Sequence, residues 1–201
     1  MISIICLTGI IATVLQISTA QDDPFLELQS KILTTYPKVI VDMHNAARRS
    51  VNPTAANMLK MEWNTEAAAN AERWARTCSM NHSPSEQRTI SRGNCGENLY
   101  MSSNDRPWES AIQAWENEKK DYVFGQNPQY GKVVGHYTQM IWASSNQVGC
   151  AVANCPSSYY KYFYVCHYCP PGNYINTNPY TPGAPCSACP TACEKNLCTH
   201  L

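Results

Sequence analysis

Gly135-His136-Tyr137-Thr138-Gln139-Met140-Ile141-Trp142 sets an imidazole behind a glycine and ahead of an aromatic and apolar run, and it divides the chain in two. Ahead of it the apolar residues recur at helical spacing. Lys38 to Arg49 reads as a helix beginning just after Pro37. Thr65 is a candidate cap for a second helix, with Glu66 in its first turn. In that helix Ala67, Ala71, Trp74, Ala75 and Cys78 follow the i, i+4, i+7, i+8, i+11 pattern of one buried face. Asp105-Arg106-Pro107 opens a third helix with proline in the first turn, and Trp108, Ala111, Ile112 and Trp115 form its stripe. Behind the octapeptide the pattern changes. Gln147 to Asn154 and Tyr159 to Tyr168 are β-branched or aromatic runs separated by Cys155-Pro156-Ser157-Ser158, and they read as two antiparallel strands. Helices first and strands later predict an α+β layered domain.

The chain has 201 residues, 44% apolar and 15% charged, with 15 Lys+Arg against 15 Asp+Glu. That length suits one domain with a small appendage. Zero net charge argues against a nucleic-acid binder or a polybasic membrane-surface protein. Residues 1–20 contain no Asp, Glu, Lys or Arg; they carry an apolar run and end on Ser18-Thr19-Ala20. This reads as a secretory signal peptide rather than a membrane anchor, because polar residues interrupt a run already short for a bilayer. The mature chain would start at Gln21, be extracellular and have no segment embedded in a membrane.

Of eleven cysteines, Cys6 falls in the leader. Ten remain: Cys78, Cys95, Cys150, Cys155, Cys166, Cys169, Cys186, Cys189, Cys193 and Cys198. An even number in a secreted chain implies a disulfide framework, whose connectivity the spacing alone leaves open. The dense run from Cys186 to Cys198 also suits a zinc knuckle, but an oxidising compartment favours disulfides. Composition shifts near Pro170, after which prolines and glycines break every long element. The remainder is too short to own a core, so its bridges would have to hold it.

Two histidines stand in unusual company, His136 in the octapeptide and His82 in Cys78-Ser79-Met80-Asn81-His82-Ser83. Glu97 follows Cys95-Gly96. Glu118 and Glu116 lie about equally far off opposite edges of the third helix's stripe, so periodicity does not choose between them. The mature chain leaves no unpaired thiol for a cysteine nucleophile, and it has neither a Gly-x-Ser-x-Gly elbow nor a His-Glu-x-x-His spacing. The reading is therefore not an enzyme. The tyrosines crowded between Tyr159 and Tyr174 read mainly as sheet packing.

The octapeptide resembles the signature of the CAP superfamily (cysteine-rich secretory proteins, antigen 5 and pathogenesis-related proteins). Tyr164-Val165-Cys166-His167-Tyr168-Cys169-Pro170-Pro171-Gly172-Asn173-Tyr174 resembles its second signature. Cys78-x3-His82-Ser83 and Gly96-Glu97-Asn98-Leu99 resemble two lesser ones, and Cys186 to Cys198 resembles the hinge of the cysteine-rich secretory proteins. The resemblance implies an α-β-α sandwich with a central antiparallel sheet: a CAP domain over residues 21–172 and a cysteine-rich hinge over 173–201. It implies bridges Cys78–Cys155, Cys95–Cys169, Cys150–Cys166, Cys186–Cys193 and Cys189–Cys198. It also implies a cleft with two histidines and two glutamates, which fall on His82, His136, Glu97 and, through the pattern Trp-x-x-Glu, Glu118. Imidazoles with carboxylates as ligands or orienters make Zn²⁺ the candidate ion at His82 and His136, with no cofactor required.

The longer cysteine-rich secretory proteins continue past the hinge into a region linked to ion-channel block; this chain stops at Cys198-Thr199-His200-Leu201. That plan is similar to a short family member of amphibian egg jelly that attracts sperm. Three expectations follow. The first is a gamete signal acting on a cell-surface receptor on sperm. The second is a venom or gland secretion that modulates channels or tissue. The third is a carrier of a sterol or other lipid.

Overall fold

A computed structural model describes residues 24–201 and, within the first helix, side chains from Tyr36 onward. The leader, Cys6 and the start at Gln21 lie outside the described residues. Helix α1 (Pro24–Arg49) runs through Pro37 instead of starting after it. An interior proline removes one backbone bond. The turns that follow it bury Ile40, His44, Ala47 and Arg48, the i, i+4, i+7, i+8 set of one face, so packing outweighs the break.

A two-residue strand β1 (Glu62–Trp63) leads into α2 (Thr65–Ala75). Asn64, not Thr65, caps α2: its backbone is extended and its side chain accepts from Ala67 N at 2.8 Å. Asparagine outranks threonine at this position. Ala67, Ala71 and Ala75 are fully buried, as the periodicity predicts, while Trp74 is only half-buried. These small residues let α2 lie close on the sheet. The approach is closest over Gly149, where a Cβ would stand 2.2 Å from Ala68 N.

A short ladder, β2 (Thr89–Ile90) with β3 (Gly93–Asn94), precedes β4 (Gly96–Ser102). Helix α3 (Trp108–Glu116) begins one residue later than the sequence suggests, with Pro107 as its cap residue, and buries all four stripe residues. A 3₁₀ turn (Asn117–Asp121) continues it, and the octapeptide supplies α4 (Gly135–Met140). Strand β5 (Gln147–Asn154) is as predicted, whereas β6 (Tyr162–Cys169) starts later than Tyr159. The loop before β6 closes on Lys161, whose Nζ donates to the carbonyls of Pro156 and Ser158. Tyr159 and Tyr160 are thereby left in the turn, with Tyr159 85% exposed, while Phe163, Tyr164 and Tyr168 are fully buried. Sheet packing explains only the second group.

The sheet order is β1-β5-β6-β4. β5, β6 and β4 pair antiparallel; β1 adds to β5 in parallel, so the sheet is not purely antiparallel. Helix α2 covers one face, packing Ala71 and Ala75 on Leu99, Phe163 and Val165. Helices α1, α3 and α4 cover the other, where Ile40, Ile112, Trp115 and Met140 meet Tyr164 and Tyr168. The result is an α-β-α sandwich. All five bridges join Cys78–Cys155, Cys95–Cys169, Cys150–Cys166, Cys186–Cys193 and Cys189–Cys198.

The C-terminal part is held by more than its two bridges. Its small ladder of β7 (Cys193–Glu194) and β8 (Leu197–Cys198) lies against residues 54–60. Ala56 N donates to Thr181 O, Lys60 N to Cys198 O and Cys198 N to Met58 O, each at 2.8 Å. Leu197 and Tyr180 enter the main core. The expectation that bridges alone hold this part is corrected: it borrows backbone partners and a core from its neighbour.

Candidate functional site

Strand β4 is an edge of the sheet, and its alternation sends successive side chains to opposite faces. Glu97 shares the α2 face with Leu99. Asn98 shares the other with Tyr100. The four predicted cleft residues flank this edge as two separate pairs.

The first pair is His82 with Glu97, Nδ1 to Oε1 at 2.7 Å. The Glu97 carboxylate is 1% exposed and the imidazole 62%. Glu97 Oε1 also accepts from Ser83 N at 2.9 Å, and Oε2 from Ser83 Oγ at 2.7 Å. The fourth donor is His167 Nε2, at 3.0 Å from Oε2. Burial opposes the charge, but the hydrogen bonds from His167, His82 and Ser83 hold the carboxyl down at about 2. An ionised carboxylate only accepts, so His82 Nδ1 and His167 Nε2 both donate to it. A carboxylate has about four lone-pair positions, and here four donors occupy them.

The second pair is His136 with Glu118, Nδ1 to Oε1 at 2.6 Å. Glu118 Oε2 accepts from the backbone N–H groups of His136 and Tyr137, each at 3.0 Å. One carboxylate therefore orients the imidazole and caps the first turn of α4, whose N–H groups have no partner within the helix. Glu116 instead pairs with Lys119 at 2.9 Å. Periodicity failed to separate the two because Glu118 is not on α3 at all. It lies on the 3₁₀ turn that follows, where a 3.6-residue wheel no longer applies.

Asn98, next to Glu97 on β4, ties the His136 side to the sheet: its Nδ2 donates to His136 O at 3.0 Å and to Tyr168 Oη at 3.2 Å. Tyr168 Oη also touches His44 Nε2 at 2.8 Å, and His44 Nδ1 bonds Ile40 O. Burial pushes the His44 imidazole down to about 4.

Sequence reasoning missed three residues here. His167 was quoted only as a motif member, yet it is fully buried and opposes Glu97 in the β4–β6 register. Only strand register could have revealed it. Asn98 was likewise seen as a motif letter. Arg48 is 1% exposed and bonds four carbonyls, those of Leu59, Met140, Trp142 and Ala143, at 2.8–3.0 Å. It holds the C-terminal end of α4 while Glu118 holds the N-terminal end. Each charge opposes the partial charge of the helix end it meets.

Both cleft imidazoles use Nδ1 on a carboxylate, and their Nε2 atoms have no protein partner among the described residues. This is the donor set of a metal-ligating histidine oriented by a carboxylate. Each pair would offer one imidazole Nε2 to a divalent ion such as Zn²⁺, with its carboxylate as the orienting partner. Among the described residues, the one group of His, Cys, Asp or Glu donor atoms gathered within 4.8 Å is Cys186, Cys189 and Cys198. All three are in disulfides. No described helix is long and apolar enough to cross a membrane.

Comparison with solved structures returns one fold. The chain is 32% identical to NaASP2, crystallised with Zn²⁺, over 81% of this chain and 94% of that one, with a TM-score of 0.71. It is 27% identical to Schistosoma mansoni venom allergen-like protein 4 over 78% and 99%, TM-score 0.63. It is 26% identical to hookworm platelet inhibitor over 76% and 79%, TM-score 0.61. The family model described as CAP, cysteine-rich secretory protein family, matches residues 41–168, from the second half of α1 through all but the last residue of β6. With the sandwich, the disulfide frame and that match together, the chain belongs to the CAP family of cysteine-rich secretory proteins.

Proposed function

We propose that this is a secreted, non-enzymatic CAP protein that acts through surface recognition of an extracellular partner, and whose cleft binds Zn²⁺ reversibly through His82 and His136. The carrying observation is the state of the two carboxylates. Glu97 takes four donors, which fill its lone-pair positions, and Glu118 takes three while capping α4, so both carboxylates are committed to holding the site and neither is placed as a free general base. Both orient imidazoles. Five disulfides and the family membership fit an extracellular setting. The NaASP2 crystal with Zn²⁺ supports the choice of ion.

Zn²⁺, when bound, would supply a positive charge that two neutral imidazoles share. Calorimetry at neutral pH tests the reading: Zn²⁺ should give a binding heat that the double variant His82→Ala, His136→Ala loses. An equal heat from the variant would overturn it. Hydrolytic activity that disappears with Glu97→Gln would overturn the non-enzymatic reading.

For the partner, a gamete signal remains our first reading and a venom or gland secretion the second; the venom-allergen-like and platelet-inhibitor relatives are compatible with the latter. Peptide mass spectrometry on egg-coat and oviduct extracts against venom and salivary secretions separates them. Abundance in a venom or salivary gland alone would end the gamete reading. One observation favours the lipid-carrier alternative. An apolar groove of about 450 Å³ lies between α1 and α2, lined by Pro37, Ile40, Trp63, Trp108 and Val152. Lipid extraction of native protein decides it, since absence of bound lipid would end that reading.

A further inference from the structure

A second concavity lies on the other side of α4. His136 of that helix serves the cleft, whereas Gly135 and Thr138 line an open trough of about 780 Å³. It continues into a neighbouring hollow of about 470 Å³ that shares the wall of Trp142, Tyr174, Thr177, Asn178 and Pro179. Both volumes fall within the range of small-ligand sites.

The lining is unlike that of the apolar α1–α2 groove. Trp142 and Tyr174 meet edge to face, with ring centroids 5.8 Å apart at 64°. Trp142 is 5% exposed and held rigidly from behind, where a Cβ on Gly172 would stand 2.6 Å from its Cγ, so it backs the ring of Tyr174. Tyr174 presents its ring to solvent, at 55% exposure. Two separate segments bring in amides, Gln126 and Asn127 from one and Asn176 and Asn178 from the other. None of the four side chains has a hydrogen-bond partner among the described residues. The buried hydroxyls of Tyr122 and Tyr180, one on each hollow, also lack one. No carboxylate lines either hollow, and the one lysine, Lys132, pairs with Asp121 at 3.0 Å.

Each of these features selects for the same chemistry. An amide offers a donor pair and an acceptor on one plane, which matches vicinal hydroxyls. A rigid aromatic face packs against the C–H face of a pyranose at little entropic cost. Neutral lining disfavours sulfated or phosphorylated ligands, which need uncommitted cations. A trough open along its length admits a chain rather than a compact metabolite. An extended peptide is commonly held by adding to an unpaired strand edge, and no strand lines the trough. We propose that this trough binds a neutral oligosaccharide, stacked on the exposed ring of Tyr174, which the buried Trp142 braces, and hydrogen-bonded by Asn127, Asn176 and Asn178.

The test uses the full mature chain and four probes: triacetylchitotriose, maltotriose, a heparin-derived hexasaccharide and a neutral decapeptide. Titration is followed by calorimetry and by the indole N–H signals in ¹H–¹⁵N spectra. At least one neutral trisaccharide is expected to bind with a Kd of about 0.1–1 mM and to shift the Trp142 signal. Tyr174→Ala and Asn178→Ala, both at exposed positions, should each weaken binding about tenfold with unchanged melting temperature. The double variant His82→Ala, His136→Ala should bind the sugar as the parent does, which keeps this result independent of the zinc reading. Binding only of heparin or the peptide, no binding of either neutral sugar, or sugar binding unaffected by both trough variants would each overturn the proposal.

Discussion

The two imidazole–carboxylate pairs perform the same local task on different foundations. In the His82 pair the carboxylate belongs to a strand and is buried, with a third imidazole, His167, behind it. In the His136 pair the carboxylate sits on a 3₁₀ turn and its anchor is a six-residue helix clamped at both ends by side chains. A sheet edge supplies rigidity through its ladder. A helix this short has little stability of its own and must take it from Glu118 and Arg48. The lesson is that one site geometry rests on two independent structural supports, so each can be weakened separately.

The largest effect should come from the helix-side clamp. Arg48→Met leaves four carbonyls without their donor and is expected to cost about 3–5 kcal/mol, the range for breaking a buried charged network. Chemical denaturation measures it. A loss below about 1 kcal/mol would mean that α4 stands without this clamp.

On the strand side, Glu97→Ala leaves His82, His167 and both Ser83 donors unmatched, and about 2–4 kcal/mol is expected. The same carboxylate gives a pH signature. Its pKa is about 2 when folded and in the ordinary carboxylate range when unfolded, so its contribution is present above about pH 4.5 and is lost as pH falls toward 2. His44 acts earlier. Its folded pKa of about 4 lies below the ordinary value, so stability is full above pH 6.5 and falls between 6.5 and 4 as the unfolded chain takes up the proton. Acid unfolding should therefore show two slopes, with His44→Gln flattening the upper and Glu97→Gln the lower. A single slope unchanged by both substitutions would contradict this.

Glu118→Ala removes one helix cap and one orienting bond, and is expected to cost about 1–2 kcal/mol. It should also lower Zn²⁺ affinity about tenfold, as loss of an orienting carboxylate does. The smallest effect belongs to His82→Ala. The ring is mostly exposed, so the melting temperature should move by no more than about 2 °C while the Zn²⁺ heat is lost. A large drop in melting temperature would make His82 a structural residue.

Much of this architecture is visible in the residues. The α3 stripe, the alanine face of α2 and the run of β5 follow from periodicity, because each element buries one face. The family motifs supplied the disulfide pairing, which spacing alone left open. What stayed hidden depends on register and junctions. His167 gains its role from standing opposite Glu97 across two strands. Asn64 takes the cap from Thr65 because the chain is already extended one residue earlier. Glu118 was ambiguous because the helix changes pitch between it and Trp115. Arg48 stands in the last turn of a helix, and nothing local announces that four carbonyls from two distant segments converge on it.

The pairing of residues 54–60 with the C-terminal part has a practical meaning for anyone shortening the chain. Cutting after residue 180 would not detach an accessory. It would strip acceptors from Ala56 N and Lys60 N, remove Leu197 from the core and turn a covered seam into an open, sticky edge. The expected product is an aggregating fragment, not a minimal domain.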